Sequence, residues 1–263
     1  MVNWNWPKSD NIKIRRLVGL LLFAGVVFAV LQWYSGRRLV NPATGRKQYI
    51  ALTPQEEVRK GLHAAPQMAA SFGGLHPDEA IRKRVKSVGN KLVARARPSL
   101  LPFKFDFHIL ADSSTINAFA LPGGQIFITA GLLGKLKTDD QLAVVLGHEI
   151  GHVIGRHAGE RLSEWNLIQG GADTDSLAKE NDTASETEAY IASLAKMRYG
   201  LDDEQEADVF AIKLMRLAEY DPGAFPEITH LQTQESEMQK RPSYLTSHPG
   251  AIHWPDRIKE IMK

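Results

Sequence analysis

The 263-residue chain contains no cysteine. That excludes a disulfide scaffold, thiol catalysis, Cys-ligated zinc, iron–sulfur clusters and a lipid-modified N-terminal cysteine. It leaves the compartment open, because a cysteine-free chain tolerates either redox environment. An excess of one charge is also lacking: 32 Lys+Arg against 30 Asp+Glu give a formal net charge of +2, too little for a general nucleic-acid binder. The balance shifts along the chain, with ten basic and three acidic residues in 1–60 (+7) and 22 against 27 in the remainder (−5). Internal repeats and low-complexity tracts are missing too. What is present is an ordinary globular composition, 43% hydrophobic and 24% charged, in a chain long enough to bury a core without staples.

One long apolar run stands out. No charged side chain occurs from Leu17 to Gly36, and Lys13, Arg15 and Arg16 precede the run while Arg37 and Arg38 follow it. Twenty helical residues reach about 30 Å, the thickness of a bilayer's hydrocarbon layer. Trp33 and Tyr34 fall where an interfacial aromatic belt lies. A cleaved signal peptide and a buried core helix are the alternatives. The run continues past the small-residue site near Ala29 and ends in two arginines, which favours a retained single-pass anchor. The expected organisation is a basic tail (1–16), a transmembrane anchor (17–36), a polar juxtamembrane linker (37–60) and a folded domain (61–263).

Within that domain, Ile81, Val85, Val88, Leu92 and Val93 recur at helical spacing with Lys and Arg between them, which predicts a helix over 77–97. Alternation in 103–109 predicts a strand, and 116–121 and 125–129 predict two more around the turn Pro122-Gly123-Gly124. Long helices are expected near 139–162 and 186–219. The soluble part thus reads as an α+β domain dominated by helix.

The second-to-last of these segments carries the chemistry. Thr138, with Gln141 three residues on, has the form of a capping box, and Asp139 and Asp140 favour the positive end of the helix that follows. His148 and His152 then lie one turn apart on one face, where both imidazoles can reach one Zn²⁺. Glu149 sits about 100° round from His148, poorly placed as a ligand but well placed to take a proton from a metal-activated water. Val144, Val145, Leu146, Ile150 and Val153 surround this polar trio with apolar residues, and buried ionisable groups need partners.

A catalytic zinc site needs a third protein ligand. A histidine six residues after His152 would supply it in one pattern, but that position is Ala158, and on a continuous helix His157 points away from His148. A glutamate on a later helix is the better source. Glu204 and Asp208 are one turn apart in Glu204-Gln205-Glu206-Ala207-Asp208. Glu204 is the expected ligand, Asp208 the acceptor that fixes a ligand histidine's tautomer, and Glu206 a solvated charge. The histidines His63, His76, His108, His157, His230 and His253 are read as structural or surface residues.

In this order, His148-Glu149-Ile150-Gly151-His152 and Glu204-Gln205-Glu206-Ala207-Asp208 resemble the gluzincin metallopeptidases of the HtpX, BepA and CAAX prenyl endoprotease type. A stress-activated protease of the mitochondrial inner membrane belongs to the same group. Further matches are Asn117-Ala118-Phe119-Ala120-Leu121-Pro122-Gly123-Gly124, Tyr220-Asp221-Pro222, Ser247-His248-Pro249 and Asp256-Arg257. The resemblance implies a zincin-like fold with a small β-sheet whose edge strand borders the active-site helix, and one Zn²⁺ per chain. It implies that Asn117 to Leu121 form that edge strand and take an extended polypeptide as an added strand, with one face open to substrate side chains. It places His248 near the zinc, as a removable fourth ligand or an oxyanion donor, and Arg257 beside the oxyanion or an acidic neighbour. The expected activity is a membrane-anchored zinc endopeptidase that cleaves unfolded or damaged membrane-associated proteins. The alternative is a latent, chaperone-like zinc protein whose open metal position His248 fills. Resemblance to single-anchor bacterial forms favours a periplasmic domain. The several membrane spans of HtpX are not expected here, nor are the adaptor roles carried by the helical-repeat domain of BepA-type relatives.

Overall fold

Several helices in this chain start where a side chain is available to cap them. In the computed structural model, which describes residues 16–28, 38–96, 102–168 and 183–228, residues 16–28 form helix α1. Strands β1 (Arg38–Val40) and β2 (Lys47–Tyr49) form an antiparallel pair. Helix α2 (Pro54–Ser71) follows, opened by a capping box between Thr53 and Glu56 and a proline in its first turn. Helix α3 (Glu79–Arg95) is capped by Asp78, whose carboxylate accepts from the Ala80 and Ile81 amides.

The central sheet has three strands in the order β3 (Asp106–Leu110), β5 (Gln125–Thr129), β4 (Ala118–Leu121). β3 runs parallel to β5 and β4 antiparallel, so β4 is an edge strand. The turn from β4 to β5 passes through Gly123 and Gly124, both at positive φ. A single helical turn, α4 (Ala130–Leu133), leads to α5 (Asp139–Gly155), and then come α6 (His157–Ile168), α7 (Ala184–Lys196) and α8 (Leu201–Leu217). A 3-10 turn spans Pro222–Ala224.

The main core packs α3, the sheet, α5 and α8 around Val85, Leu92, Phe107, Ile128, Leu146 and Met215. A second cluster, which includes Met68, Leu121, Phe127, Leu162 and Tyr190, joins α2, α6 and α7 to the sheet's other side. The helix-dominated α+β architecture and the strand positions agree with the sequence reading.

Three features differ from it. The helix expected over 139–162 is two helices, broken at Arg156, whose backbone is left-handed at φ 56°. The helix expected over 186–219 is likewise α7 and α8. Of the segment expected as a linker, 37–60, the described residues 38–60 are folded: Asn41 donates to the Ile154 carbonyl at 3.0 Å and Gln48 to the Gly155 carbonyl at 2.7 Å, capping the end of α5. Its last residues already belong to α2, a helix for which the Thr53-x-x-Glu56 pair is a visible signal. Among the described residues no helix is long and apolar enough to cross a membrane.

Candidate active site

Helix α5 is buried from Gln141 to Gly155, so its polar residues must be satisfied by protein or by a bound group. Its start follows the sequence in part: Thr138 accepts from the Gln141 amide at 3.1 Å, but the Gln141 side chain accepts from the Lys137 amide rather than closing the box. The helix meets α8 through small residues. A methyl group on Gly147 would lie 3.2 Å from the Ala211 Cα, and one on Gly151 would lie 2.6 Å from the Ala207 carbonyl oxygen. These backbones approach closely only because both positions are glycine, and the approach carries Glu204 and Asp208 to the histidines.

His148 and His152 turn their Nε2 atoms to each other at 2.9 Å. Glu204 places one carboxylate oxygen 3.6 Å from each of these nitrogens. Ligand atoms held tetrahedrally about 2 Å from one ion lie about 3.3 Å apart, so the separations match a single divalent cation. The other ring nitrogens are engaged. His148 Nδ1 pairs with Asp208 Oδ1 at 2.8 Å. His152 Nδ1 lies 2.9 Å from His157 Nδ1, and His157 Nε2 lies 2.8 Å from Glu206 Oε2.

Charge energetics test whether a cation fits. Both Glu204 oxygens are buried without a hydrogen-bond partner among the described residues. Burial, followed by the Asp208, Glu149 and Asp203 carboxylates, pushes Glu204 up to about 10. Burial holds His148 down at about 3, so its imidazole is neutral and able to bind a metal. Two imidazoles and a carboxyl group without a hydrogen-bond partner among the described residues form the donor set that zinc takes.

Glu149 lies fully buried beside this group. Burial pushes its carboxyl up to about 8, opposed in part by the Ala120 backbone N–H of β4. Helix α5 packs against that strand. A small cleft runs from the end of β4 to His152, bordered by Ala120, Leu121, Gly123, Glu57 and Tyr199. The Tyr199 ring stacks on His152 with centroids 4.0 Å apart. The sequence reading did not single out this tyrosine, and a lone tyrosine between two helices carries no local signal.

Of the expected substrate segment, Ala118 to Leu121 form β4 and Asn117 precedes it. Both faces of the strand are packed: Ala118 and Ala120 sit in the main core, and Phe119 stacks on Phe127 at 5.1 Å. The open face expected for side chains is therefore absent from β4 itself, leaving its backbone edge and the neighbouring groove.

Two assignments change. His157 is not a surface or structural bystander facing away from the site, and Glu206 is not simply a solvated charge. The left-handed turn at Arg156 starts a new helix and swings His157 back onto His152, where Glu206 meets it. The continuous-helix geometry behind the sequence expectation does not apply. His63 bonds Thr187 and His108 bonds Gln125, both away from the site. His248, Arg257, His230 and His253 lie outside the described residues.

Comparison with known proteins agrees with this geometry. Residues 79–263 match the model of peptidase family M48. The beta-barrel assembly-enhancing protease of Yersinia pestis is 29% identical over 218 residues, 79% of this chain and 44% of that protein. The mitochondrial metalloendopeptidase OMA1 of Schizosaccharomyces pombe is 26% identical over 262 residues, 97% of this chain and 73% of the relative. A bovine mitochondrial metalloendopeptidase OMA1 is 31% identical over 160 residues, 59% of this chain and 30% of the relative. The chain thus spans about half or less of the bacterial and bovine relatives and nearly three quarters of the fission-yeast one. With the family match covering most of its length and a His-His-Glu cluster at its centre, the chain belongs to peptidase family M48, a family of metallopeptidases.

Proposed function

We propose that the chain is a membrane-anchored zinc endopeptidase that cleaves extended segments of unfolded or damaged proteins. One observation carries the reading: a buried carboxylate without a hydrogen-bond partner, on Glu204, faces two imidazole nitrogens whose opposite nitrogens are already engaged. His148, His152 and Glu204 would hold the ion. When bound, zinc supplies a Lewis acid that polarises the scissile carbonyl and makes water acidic near neutral pH. Glu149 takes the proton of the attacking water and delivers it to the leaving amine. The β4 backbone aligns the substrate as an added strand. Recognition through backbone tolerates many sequences, which suits quality control. From the sequence, His248 is assigned to the same ion or its oxyanion, and Arg257 to the oxyanion or an acidic neighbour.

Residues 17–36 are the proposed anchor. Their uncharged run and the exposure of Leu20, Leu21, Leu22 and Phe23 on α1 support it, and a periplasmic domain is the proposed placement. The full chain should stay with the membrane during alkaline extraction, whereas a chain lacking residues 1–36 should be released.

Activity is tested with the purified full chain, zinc and unfolded casein. Glu149→Gln should reduce cleavage by about 10²–10⁴-fold while zinc remains bound. Casein cleavage unchanged by that substitution would remove Glu149 from the chemistry, and a pure chain without stoichiometric zinc would remove the metal reading.

A further inference from the structure

The two histidines that face the proposed ion are supported differently. His148 is held by a carboxylate directly, whereas a second imidazole stands between His152 and its carboxylate. We propose that His157 and Glu206 form a relay that fixes the tautomer and orientation of His152, making His157 a positioning residue of the metal centre. The inference rests on the metal reading above and adds a group to it.

Hydrogen-bond parity determines the tautomers. A carboxylate only accepts, so Glu206 requires a proton on His157 Nε2. Metal binding requires a lone pair on His152 Nε2, which is directed at His148 and Glu204, and so puts the His152 proton on Nδ1. His157 Nδ1, 2.9 Å away, is then the acceptor of that proton. Arg46 Nη1, 4.0 Å from Glu206 Oε2, favours the negative charge at the end of the chain.

The backbone is shaped to hold this arrangement. Arg156 at φ 56° turns the chain back within one residue, although the left-handed region is unfavourable for a non-glycine residue. The His157 ring then lies over Gly155, where a methyl group would come within 2.2 Å of Nε2 and 2.5 Å of Cε1. Glycine at 155 is therefore a requirement of the ring's position. His157 is fully buried, so its ring has no solvent to substitute for either partner.

The test uses the full chain in detergent and Zn²⁺ competition against a chromophoric chelator. His157→Phe and Gly155→Ala should each weaken zinc binding by about 10–100-fold. The first removes both polar atoms and the second displaces the intact ring. His157→Gln, whose amide can accept from His152 and donate to Glu206, should recover most of the affinity. Melting temperatures of the metal-free variants control for folding, and the Co²⁺ absorption spectrum of His157→Phe should differ from wild type. Long-range ¹H–¹⁵N correlation in the wild-type chain should show His157 protonated at Nε2. A folded His157→Phe chain that binds zinc as tightly as wild type, or a His157 protonated at Nδ1, would overturn the relay. Failure of the wild-type chain to bind zinc would instead sink the metal reading, and the imidazole correlation would still decide the tautomer.

Discussion

Gly151 packs against Ala207 so closely that a methyl group on the glycine would lie 2.6 Å from the alanine's carbonyl oxygen. Gly151→Ala should therefore push α5 from α8 and move Glu204 away from His148 and His152. Overpacking costs about 1–3 kcal/mol, and the better helix propensity of alanine returns about 1 kcal/mol. A net loss of stability in urea unfolding and weaker zinc binding are expected. Gly147→Ala, with a nearest contact of 3.2 Å, should be milder on both counts. Equal stability and affinity in Gly151→Ala would show that the close helix contact does not position Glu204.

Metal binding should release a proton from Glu204. Its carboxyl, raised from 4.5 to about 10 by burial and then by its carboxylate neighbours, is protonated in the metal-free chain at pH 8 and must ionise to bind zinc. His148, held at about 3, contributes none. Calorimetry in two buffers of different ionisation enthalpy should report net proton release on zinc binding, with Glu149 and the metal's water able to add to the Glu204 proton. The same shift has a stability sign. The folded chain retains a proton that the unfolded chain loses near 4.5, so the metal-free form loses stability as pH rises toward 10. Glu204→Gln should flatten that slope and lose zinc binding. Zinc binding without proton release at pH 8 would contradict the raised carboxyl.

Asp208 accepts from His148 Nδ1 at 2.8 Å. Asp208→Ala should cost about 10–100-fold in zinc affinity, because His148 then lacks the acceptor that fixes its ring. Asp208→Asn, which keeps an acceptor oxygen, should lose less. The two affinities, read by chelator competition, separate loss of the acceptor from loss of the charge.

The left-handed Arg156 is held by its side chain, which donates to Glu57 at 3.1 Å and to the Leu52 carbonyl at 2.6 Å. Burial pushes Glu57 up to about 7, opposed by Arg156. Between 4.5 and 7 the folded chain holds the extra proton, so stability falls as pH rises through that window. Arg156→Gly relieves about 1–2 kcal/mol of backbone strain, but removing one partner of a buried pair costs about 3–5 kcal/mol. A net loss near 2 kcal/mol is expected at pH 8, shrinking at pH 5 where Glu57 is protonated. Urea unfolding at the two pH values reads this, and an equal loss at both would show that the charge on Glu57 is not what Arg156 offsets.

The legible part of the site lies within single helices. The one-turn spacing of His148 with His152, and of Glu204 with Asp208, follows from 3.6 residues per turn. Capping residues and apolar periodicity likewise marked α3 and the start of α5. The relay was hidden because residue spacing converts to direction only along an unbroken helix. Nothing in the run from Val153 to Ala158 announces a left-handed residue, since arginine gains nothing locally from φ 56°. Its reward comes from Glu57 and Leu52, about a hundred residues earlier.

The sequence by itself determined the donor types, their grouping on two helices, the capped helix starts and the alternating strands, because these depend on neighbours within one turn or one strand. Only the tertiary structure decided that glycines 147 and 151 let two helices touch, that β4 has both faces packed, and that His157 returns to His152. Each of these depends on the free energy of contacts between segments far apart in the chain, which can outweigh what any one segment prefers alone.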